Sequence, residues 1–318
     1  MNDKCKKVSA MLAALVACAV VHVVSAGHRT NHAKFEPKGF PEHHVSRILS
    51  WEGVDNARDL GGLPARDGKV VRRGMVFRSQ AFNDNAVCSW LTAKRLERKA
   101  RNPAGLFVEF GRRNASEILL RIGTNDFTKS CRVIAAELAD GTNHWKKGEL
   151  RGTPESRSKI LAETGIRTEV DLRSEPETWG MSGSPLGPSV TWRNIPGVST
   201  AELATPAGKK WFSKCFRVFL DEKNYPISFH CIAGADRTGA LALVLESLLG
   251  VSEDDIVQDY ALTSASTAGI RSASDLRGQI RKLDVYPGAT LNERIEAYAM
   301  DCGFTREDIA KFRSIMLE

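Results

Sequence analysis

Residues 225–250, YPISFHCIAGADRTGALALVLESLLG, form the strand, loop and helix pattern that decides the fold. The run from Tyr225 to Phe229 is short and apolar, which is typical of a buried strand. The run from Arg237 to Leu249 is a strongly apolar helix pattern, and Gly250 follows it where helices commonly end. The loop His230 to Gly239 joins the two. A strand that passes through a short loop into a helix predicts one unit of an α/β sheet.

This loop combines a cysteine, an arginine and two glycines in a spacing that suits a bound anion. Backbone amides at a helix start point toward an anion, and the helix dipole adds to their field. That field and the nearby Arg237 should lower the pKa of the Cys231 thiol. The guanidinium fork of Arg237 fits two phosphate oxygens, and Gly234 and Gly239 permit the tight turn and close packing. Together these groups predict a phosphoryl-transfer site.

The predicted phosphate-binding residues are consecutive in the sequence: Ile232, Ala233, Gly234, Ala235, Asp236 and Arg237. The alternative is a buried structural cysteine in a strand-to-helix turn. That alternative explains neither the arginine six residues after Cys231 nor the glycines of the loop. We predict neither a cofactor nor a metal ion at this site.

Strand and helix patterns alternate along most of the remaining chain. Short strands are predicted at residues 75–77, 167–172 and 190–195. Helices are predicted to begin after caps or with capping pairs at Thr153, Thr205, Ser252, Thr290 with Glu293, and Thr305 with Asp308. This alternation predicts an α/β fold with a central, mainly parallel sheet flanked by helices.

Residues 81–153 interrupt this series and read as a basic insertion. The stretch has 13 Lys and Arg against 8 Asp and Glu, a net charge of +5. We predict that it is partly helical, around Ser116–Leu120 and Cys131–Leu138. We also expect it to act as a lid or flank that selects an anionic substrate. The cluster between Lys94 and Arg101 lacks interleaved aromatic residues, so binding of nucleic acid is not expected.

The first 26 residues have the three parts of a secretory signal peptide: a lysine-rich start, an apolar run and small residues at Val24-Ser25-Ala26. We therefore expect a secreted or periplasmic protein. A lipoprotein cleavage box before Cys18 is the less favoured alternative, because the apolar run continues past it. Residues 27–46 are expected to be a solvated linker. A metal site at His28 and His32 is the alternative there.

The whole chain of 318 residues is 42% hydrophobic and carries a net charge of +7. This composition excludes a disordered or collagen-like chain and a disulfide-dense miniprotein. No stretch after the signal peptide is apolar enough for stable membrane insertion. Apart from Cys231, the cysteines expected in the exported chain are Cys88, Cys131, Cys215 and Cys302. Pairing of Cys88 with Cys131 and Cys215 with Cys302 is one possibility, and free buried thiols are the other.

The pattern His230-Cys231-x5-Arg237-Thr238-Gly239 resembles the signature of the cysteine-dependent protein tyrosine phosphatases. With Ala-Gly inside the loop, it is similar to the secreted bacterial tyrosine phosphatase and lipid phosphatase family. Further segments resemble that family at residues 56–62 (NARDLGG), 77–79 (FRS), 165–174 (GIRTEVDLRS) and 259–260 (DY). The resemblance covers residues 47–80 and 154–318. It implies a phosphatase domain over residues 47–318, interrupted by the insertion.

The resemblance also implies a role for each residue of the loop. Cys231 would attack phosphorus, and Arg237 would bind the phosphoryl oxygens. Thr238 would hydrogen-bond the thiolate, and Asp236 would be the general acid and later the base. Bracing of the loop is the alternative role for Asp236. Position 235 is alanine where relatives with lipid or polyphosphate activity often carry lysine, which favours monophosphate substrates such as phosphotyrosine.

Four residues are expected to support the loop: His230, Arg58, Asp59 and Asp171. Arg58 and Asp59 are expected to form an internal ion pair that holds the N-terminal segment against the loop. Asp171 and Glu175 are the other carboxylates considered for the acid.

The sequence thus favours a secreted phosphatase that acts through a phosphocysteine intermediate and whose partner is a phosphorylated protein or a small phosphate ester. Phosphotyrosine is the favoured substrate, and dual-specificity or phosphoinositide activity is left open. The alternatives are an inositol-polyphosphate phosphatase, a non-catalytic phosphate-binding module and a sulfurtransferase-like domain.

Overall fold

The computed structural model describes residues 39–85, 87–88, 108–112, 117–122, 125–130, 145–146, 148–175, 177–178, 180–266 and 270–318. These residues fall into two compact units. The larger unit is formed by Phe35–Ala86 and Lys147–Glu318, and the strands between Val87 and Lys146 belong to the other. All of the predicted catalytic residues lie in the larger unit.

The strands of both units are short, and each is numbered in chain order. They are β1 (Arg58–Asp59), β2 (Val76–Ser79), β3 (Val87–Cys88), β4 (Val108–Arg112), β5 (Glu117–Ile122), β6 (Asn125–Ser130), β7 (Trp145–Lys146), β8 (Thr168–Asp171), β9 (Thr191–Asn194) and β10 (Ile227–His230).

The larger unit is built on a five-stranded sheet with β10 at its centre. The strand order is β1-β2-β10-β8-β9. Strands β2, β10, β8 and β9 are parallel, and β1 runs antiparallel to β2. This arrangement confirms the predicted central, mainly parallel sheet. Because parallel strands end at the same edge, the residues after β2, β8 and β10 meet there.

Apolar side chains on the two faces of this sheet belong to two separate cores. Val76 and Phe77 are successive residues of β2 and therefore point to opposite faces. Val76 packs with Ile227 and Phe229 of β10 in the larger core, and Phe77 packs with Ile160 in the smaller one. Because the sheet is buried on both faces, the polar residues of β10, Ser228 and His230, are buried as well as the apolar ones.

The helices are α1 (Glu42–Val45), α2 (Pro154–Thr164), α3 (Pro206–Phe219), α4 (Asp236–Leu249), α5 (Glu253–Ala261), α6 (Ala273–Ile280), α7 (Leu291–Asp301) and α8 (Arg306–Met316). The predicted caps are confirmed, because the side chains of five residues each accept a backbone N–H of the following turn: Thr153, Thr205, Ser252, Thr290 and Thr305. Among the described residues, no helix is both long enough and apolar enough to span a bilayer.

The pairing of Cys215 with Cys302 is wrong, because both residues are free thiols. Cys215 lies on α3 and is fully buried in the larger core, beside Phe212 and Phe216. Burial raises the pKa of its thiol well above the ordinary value. Cys302 is the residue after α7 and is only partly buried. The other predicted pairing joins Cys88 to Cys131, and Cys131 lies outside the described residues.

The strands of the insertion form two sheets of their own. Strands β4, β5 and β6 are antiparallel neighbours, and β3 pairs with β7. The predicted helix at Ser116–Leu120 is wrong, because Glu117–Ile122 is the central strand of the three. A short apolar run does not distinguish strand from helix, and pairing on both sides decides it here. The predicted helix at Cys131–Leu138 lies outside the described residues.

The predicted linker differs from the structure in its last residues. Glu42–Val45 form one helical turn, and His44 is buried. The Nε2 atoms of His43 and His44 lie 2.7 and 3.1 Å from Asp255 Oδ1 on α5. This contact spans more than 200 residues of sequence, so no local pattern indicates it. His28 and His32 lie outside the described residues.

Candidate active site

The loop after β10 is held from outside through its carbonyl groups. Asn56 Nδ2 donates to the carbonyl oxygens of Ala233 (3.1 Å) and Gly234 (3.0 Å), and Arg78 Nη2 donates to that of Gly234 (3.0 Å). Gly234 has a φ of 66°, and a Cβ there would collide with the backbone of Ser79. Asn56 has a φ of 58°, which asparagine tolerates better than most residues. With these carbonyls bound outside, amides of the loop are left to face its centre.

The other predicted loop residues complete the turn into α4. The carbonyl oxygen of Ile232 accepts from the amide of Ala81 (3.3 Å). Ala235 is buried, and its carbonyl accepts from the amide of Gly239 (2.6 Å) in the first turn of α4. The loop therefore bridges the end of β2 and the start of the helix.

Cys231 is buried at the start of this loop. Burial alone raises the pKa of its thiol, but four other influences outweigh burial. These are the Thr238 hydroxyl, the positive charge of Arg237, and the amides of Thr238 and Ala233. The pKa of Cys231 consequently lies below its ordinary value. A thiol of lowered pKa is a stronger source of thiolate, which is the nucleophilic form.

The hydroxyl of Thr238 lies beside this sulfur and is itself buried. Within the described part of the chain, Thr238 Oγ1 forms no hydrogen bond of regular geometry to any partner. It is therefore available to donate to the Cys231 sulfur as negative charge develops there. Cys231, Arg237 and Thr238 thus converge at one point, as the spacing of the motif predicts.

Glu177 holds Arg237 in place and is not among the site residues that the sequence predicts. Arg237 Nη1 and Nη2 donate to Glu177 Oε2 (2.6 Å) and Oε1 (3.0 Å), and Nη1 also donates to the carbonyl of Leu172 (3.2 Å). Ser174 donates from its amide and its hydroxyl to Glu177 Oε2, both at 2.8 Å. Burial raises the pKa of Glu177, but the bonds from Arg237 and Ser174 outweigh burial and lower the pKa to about 2.

A signal for Glu177 is present in the sequence. Ser174 and Glu177 have the spacing in which a serine and an acidic residue three positions later bond each other's backbone and side chain. Ser174 and Glu177 follow β8, the strand next to β10, and so lie at the same edge of the sheet as the loop. Glu175, the carboxylate considered instead, is exposed.

Asp236 lies at the first position of α4, and its carboxylate is bound by two side chains. Arg271 Nε and Nη2 donate to Oδ1 and Oδ2, both at 2.9 Å, and the Tyr260 hydroxyl donates to Oδ1 (3.0 Å). Burial raises the pKa of Asp236, but the bonds and charge of Arg271, the Tyr260 bond and the charge of Arg237 outweigh burial, so this pKa is lowered. Asp236 is therefore ionised in this state.

His230 is fully buried and bridges the loop to β8. Its Nε2 lies 2.9 Å from Glu169 Oε1, and its Nδ1 lies 3.1 Å from the Cys231 carbonyl oxygen. Burial lowers the pKa of His230, but the charge of Asp171 and the bond to Glu169 outweigh burial and raise it. A protonated ring donates at both nitrogens, so His230 binds the Cys231 carbonyl through Nδ1 and the Glu169 side chain on β8 through Nε2.

Asp171 supports the strand next to the loop rather than facing a substrate. It is fully buried and binds Arg173 through both oxygens, with Nη2 to Oδ2 at 2.7 Å and Nε to Oδ1 at 2.9 Å. Burial raises the pKa of Asp171, but the charge of His230 and the bonds from Arg173 outweigh burial and lower it. An ionised carboxylate in a closed ion pair is a poor proton donor.

The predicted ion pair between Arg58 and Asp59 is wrong. Arg58 binds Asp259 instead, with Nε to Oδ1 at 2.9 Å. Asp59 accepts backbone amides of Gly61 and Gly74, both at 2.8 Å. Burial raises the pKa of Asp59, and those two amide bonds oppose the rise. The physical reason is that successive residues of a strand point to opposite faces, so neighbours in β1 do not meet.

Asp259 is the centre of a buried charge network behind the loop. Arg47, Arg58 and Arg78 all bind its carboxylate, at 2.7, 2.9 and 2.5 Å. Burial raises the pKa of Asp259, but the three positive charges outweigh burial and hold it well below its usual range. Arg58 also donates to Asn56 Oδ1 (2.6 Å), so both side chains that hold the loop, Asn56 and Arg78, are anchored by this network.

Glu246 on α4 is buried close to the same network. Burial and the negative charge of Asp259 raise its pKa well above the ordinary value, against the charges of the arginines. Neither of its carboxyl oxygens has a hydrogen-bond partner among the described residues. Its surroundings therefore favour the neutral form of Glu246, whereas the arginines favour the ionised form of Asp259.

Among the residues that the structure describes, two groups of side chains are close enough together to hold a metal ion: His43 with His44 and Asp255, and Glu169 with Asp171 and His230. In the first group, Arg47 Nη2 donates to His44 Nδ1 (3.0 Å), which leaves the proton of a neutral ring on Nε2. In the second, both ring nitrogens of His230 already face oxygen acceptors. Both groups are therefore already hydrogen-bonded within the protein, which suits metal ligation poorly.

Comparison with known proteins places this site in a family. A Cupriavidus necator protein provisionally named a tyrosine-protein phosphatase is 26% identical over 215 residues, which is 67% of this chain and 61% of that protein. The match thus spans less than two thirds of that relative. A Nostoc commune tyrosine-protein phosphatase is 34% identical over 77 residues, 24% of this chain and 26% of that protein.

The sequence profile of the tyrosine phosphatase family matches residues 49–97 and 145–318. The matched ranges include the Asn56 segment, the strands of the larger sheet and the whole Cys231 loop, and they omit residues 98–144. This chain belongs to the tyrosine phosphatase family.

Proposed function

We propose that this chain hydrolyses phosphate monoesters through a phosphocysteine intermediate, with phosphotyrosine as its preferred substrate. The observation that carries the proposal is the Cys231 thiol, whose pKa is lowered by the amides of the loop, Thr238 and Arg237. A thiolate can attack the phosphorus of a phosphate monoester, and the surrounding amides and guanidinium can bind its phosphoryl oxygens. Family membership supports the same chemistry.

The proposed reaction has two steps. First, the Cys231 sulfur forms a bond to phosphorus while the bond to the ester oxygen breaks, and that oxygen takes a proton from Asp236. Second, a water oxygen attacks the phosphorus and gives a proton to Asp236. The sulfur–phosphorus bond breaks, and the sulfur leaves as a thiolate that accepts a hydrogen bond from Thr238. Arg237 binds two phosphoryl oxygens in both steps.

Asp236 is the carboxylate that fits this role best by position, because it is part of the loop itself. Asp171 and Glu177 are closed in ion pairs with arginines, and Glu175 is exposed. As long as Arg271 binds it, Asp236 is ionised, which suits the second step, where it accepts a proton from water. The first step requires a protonated Asp236.

A phosphate-release panel tests this function. The substrates are a phosphotyrosine peptide, a phosphoserine peptide, a phosphoinositide and inositol hexakisphosphate. We expect fastest release from the phosphotyrosine peptide, and no release by Cys231→Ser. Cys302→Ser is the matched control, because it removes a partly buried thiol elsewhere in the larger unit. Release by Cys231→Ser equal to the parent would refute the proposal, and release from inositol hexakisphosphate alone would refute the substrate class.

The intermediate is tested separately by acid quenching during turnover of the phosphotyrosine peptide. We expect one phosphoryl group on the peptide that contains Cys231, detected by mass spectrometry after digestion. Asp236→Asn should slow both its formation and its hydrolysis. Phosphate release without any trapped phosphocysteine, in the parent or in Asp236→Asn, would argue against the covalent route.

We also propose that residues 1–26 direct export and are removed. The basic start, the apolar run and the small residues before position 27 support this proposal. N-terminal sequencing of the protein recovered from a bacterial host is the test. A mature terminus at Gly27 supports the proposal, and a retained Met1 contradicts it.

A further inference from the structure

Two partly exposed arginines near the loop, Arg237 and Arg271, are each bound by a carboxylate of the protein itself. Glu177 binds Arg237, and Asp236 binds Arg271. The pairs differ in exposure. The side chains of Arg237 and Glu177 are 22% and 17% exposed, whereas those of Arg271 and Asp236 are 25% and 53% exposed. The outer pair is therefore the one that a ligand reaches from solvent.

The backbone of Arg271 is fixed, so exchange of its partner requires only movement of side chains. Its amide donates to Ser264 Oγ, and that hydroxyl donates back to its carbonyl oxygen, both at 2.7 Å. The guanidinium also donates from Nη1 to the Ile270 carbonyl oxygen at 2.9 Å. The remaining donors, Nε and Nη2, face the two oxygens of Asp236 side by side. This arrangement is the fork that guanidinium groups form with carboxylates.

We propose that Arg271 determines substrate specificity by binding a carboxylate of a phosphopeptide, next to the phosphotyrosine, in exchange for Asp236. The inference rests on the proposed function. The fork is already shaped for a carboxylate, and Asp236 belongs to the loop that takes the phosphoryl group. An acidic residue that flanks the phosphotyrosine is thus the group that matches Arg271 in both charge and shape.

The exchange also prepares Asp236 for the first step of the reaction. In the resting state Asp236 is faced by Arg271, by the Tyr260 hydroxyl and by the charge of Arg237. When Arg271 binds the substrate, Asp236 loses its nearest positive charge and keeps only Tyr260 and the more distant Arg237. The bound phosphate also adds negative charge beside Asp236. Both changes raise the pKa of Asp236 and favour its protonated form. A correct substrate would thereby generate the acid that its own ester oxygen needs.

The test compares two phosphotyrosine peptides that differ by one flanking residue, glutamate or glutamine, and measures kcat/KM for each. The parent should prefer the glutamate peptide about tenfold, the effect of one charge-assisted hydrogen bond. Arg271→Gln should reduce that preference to about onefold, and Arg271→Lys should retain part of it. Arg277→Gln is the matched control, since it removes an arginine of α6 from an exposed pair with Asp254 of α5. Its preference should stay at the parental value.

A second readout separates this role from a merely structural one. With the glutamine peptide, Arg271→Gln removes the cation that keeps Asp236 ionised. The alkaline limb of its kcat profile should therefore move to higher pH than in the parent. A structural defect would lower kcat at every pH and leave the limb where it is. Thermal unfolding of each variant checks that the fold is intact.

Three outcomes would overturn the inference: an equal peptide preference in the parent and Arg271→Gln, no preference in the parent, or an alkaline limb that does not move. Arg271→Gln could instead lose discrimination between a phosphoinositide bisphosphate and the corresponding monophosphate while keeping the peptide preference. That result would show that Arg271 binds a second phosphate and would refute its binding of a peptide carboxylate. Hydrolysis of p-nitrophenyl phosphate, which carries no flanking carboxylate, tests the proposed function separately from the role of Arg271. If the parent hydrolyses it and Cys231→Ser does not, the phosphatase function is supported even when the Arg271 inference fails.

Discussion

Replacing Glu177 by glutamine tests how far Arg237 depends on a partner that touches no substrate. Glu177 Oε2 accepts from Arg237 Nη1 and twice from Ser174, whereas Oε1 accepts from Arg237 Nη2 and from Asn85 Nδ2. In Glu177→Gln, the amide oxygen of the new side chain should take the position of Oε2, where three donors converge. Its NH2 group would then face Arg237 Nη2, donor against donor. The Asn85 amide also faces this position, but it can rotate to present Oδ1, which has no partner among the described residues. One charge-assisted hydrogen bond is lost and becomes a repulsive contact.

The expected loss follows from that geometry. A hydrogen bond to a charged group contributes about 1.5–3 kcal/mol, and this pair is partly buried, so solvent screens it less than a surface pair. Taking ~2 kcal/mol, and tenfold for each ~1.4 kcal/mol, kcat/KM for a phosphotyrosine peptide should fall roughly 30-fold. Because the pKa of Glu177 is about 2, the carboxylate is charged throughout the working range. The ratio of parent to variant should therefore be constant between about pH 5 and pH 8.

Glu175→Gln is the matched control, since it makes the same chemical change two residues away on an exposed side chain. It should leave kcat/KM within about twofold of the parent. Thermal unfolding distinguishes a displaced Arg237 from a damaged fold. A Glu177→Gln enzyme with an intact fold and less than a threefold loss would refute the positioning role. A loss that varies with pH in this range would refute the assigned ionisation.

The other predictions concern the thiol and the buried charges. Iodoacetamide should alkylate Cys231 half-maximally at a pH below that of an ordinary thiol, and Thr238→Ala should move this midpoint upward; a midpoint unaffected by the substitution would disprove the contact. Asp259→Asn leaves three buried arginines without their carboxylate and should destabilise the fold by about 3–5 kcal/mol in urea unfolding; a loss below ~1 kcal/mol would show that the network contributes little. Glu246 has a raised pKa in the folded state, so its ionisation opposes folding as pH rises above its unfolded pKa. Glu246→Gln should thus gain stability relative to the parent between about pH 5 and pH 8, and a pH-independent difference in unfolding free energy would contradict this assignment.

The parts of the fold that local chemistry determines could be predicted from the sequence. Thr205 precedes Pro206, and this pair alone places the start of α3. The buried strand before Cys231 and the apolar helix after Arg237 fix the parallel unit and the position of the loop. In each case the determining contacts lie within a few residues of each other.

The parts that depend on distant contacts could not be predicted. Arg58 has an acidic neighbour in the sequence but binds Asp259, 201 residues away. Asp236 is a loop carboxylate by position, and only the fold brings Arg271 to it. Glu117–Ile122 is a strand because β4 and β6 pair with it, not because of its own pattern. Such choices are decided by which partners the topology supplies.

The position of Asp259 has a consequence for the synthesis of the protein. The loop that carries Cys231 is complete in the growing chain before Asp259 and Arg271 have been added. Until then Arg47, Arg58 and Arg78 lack the carboxylate that draws them together. Asn56 and Arg78 consequently have no fixed position from which to shape the loop. A chain released early, with its whole signature present, would therefore be inert, and reactive thiolate would arise only once the segment beyond the signature helix has been added and has folded.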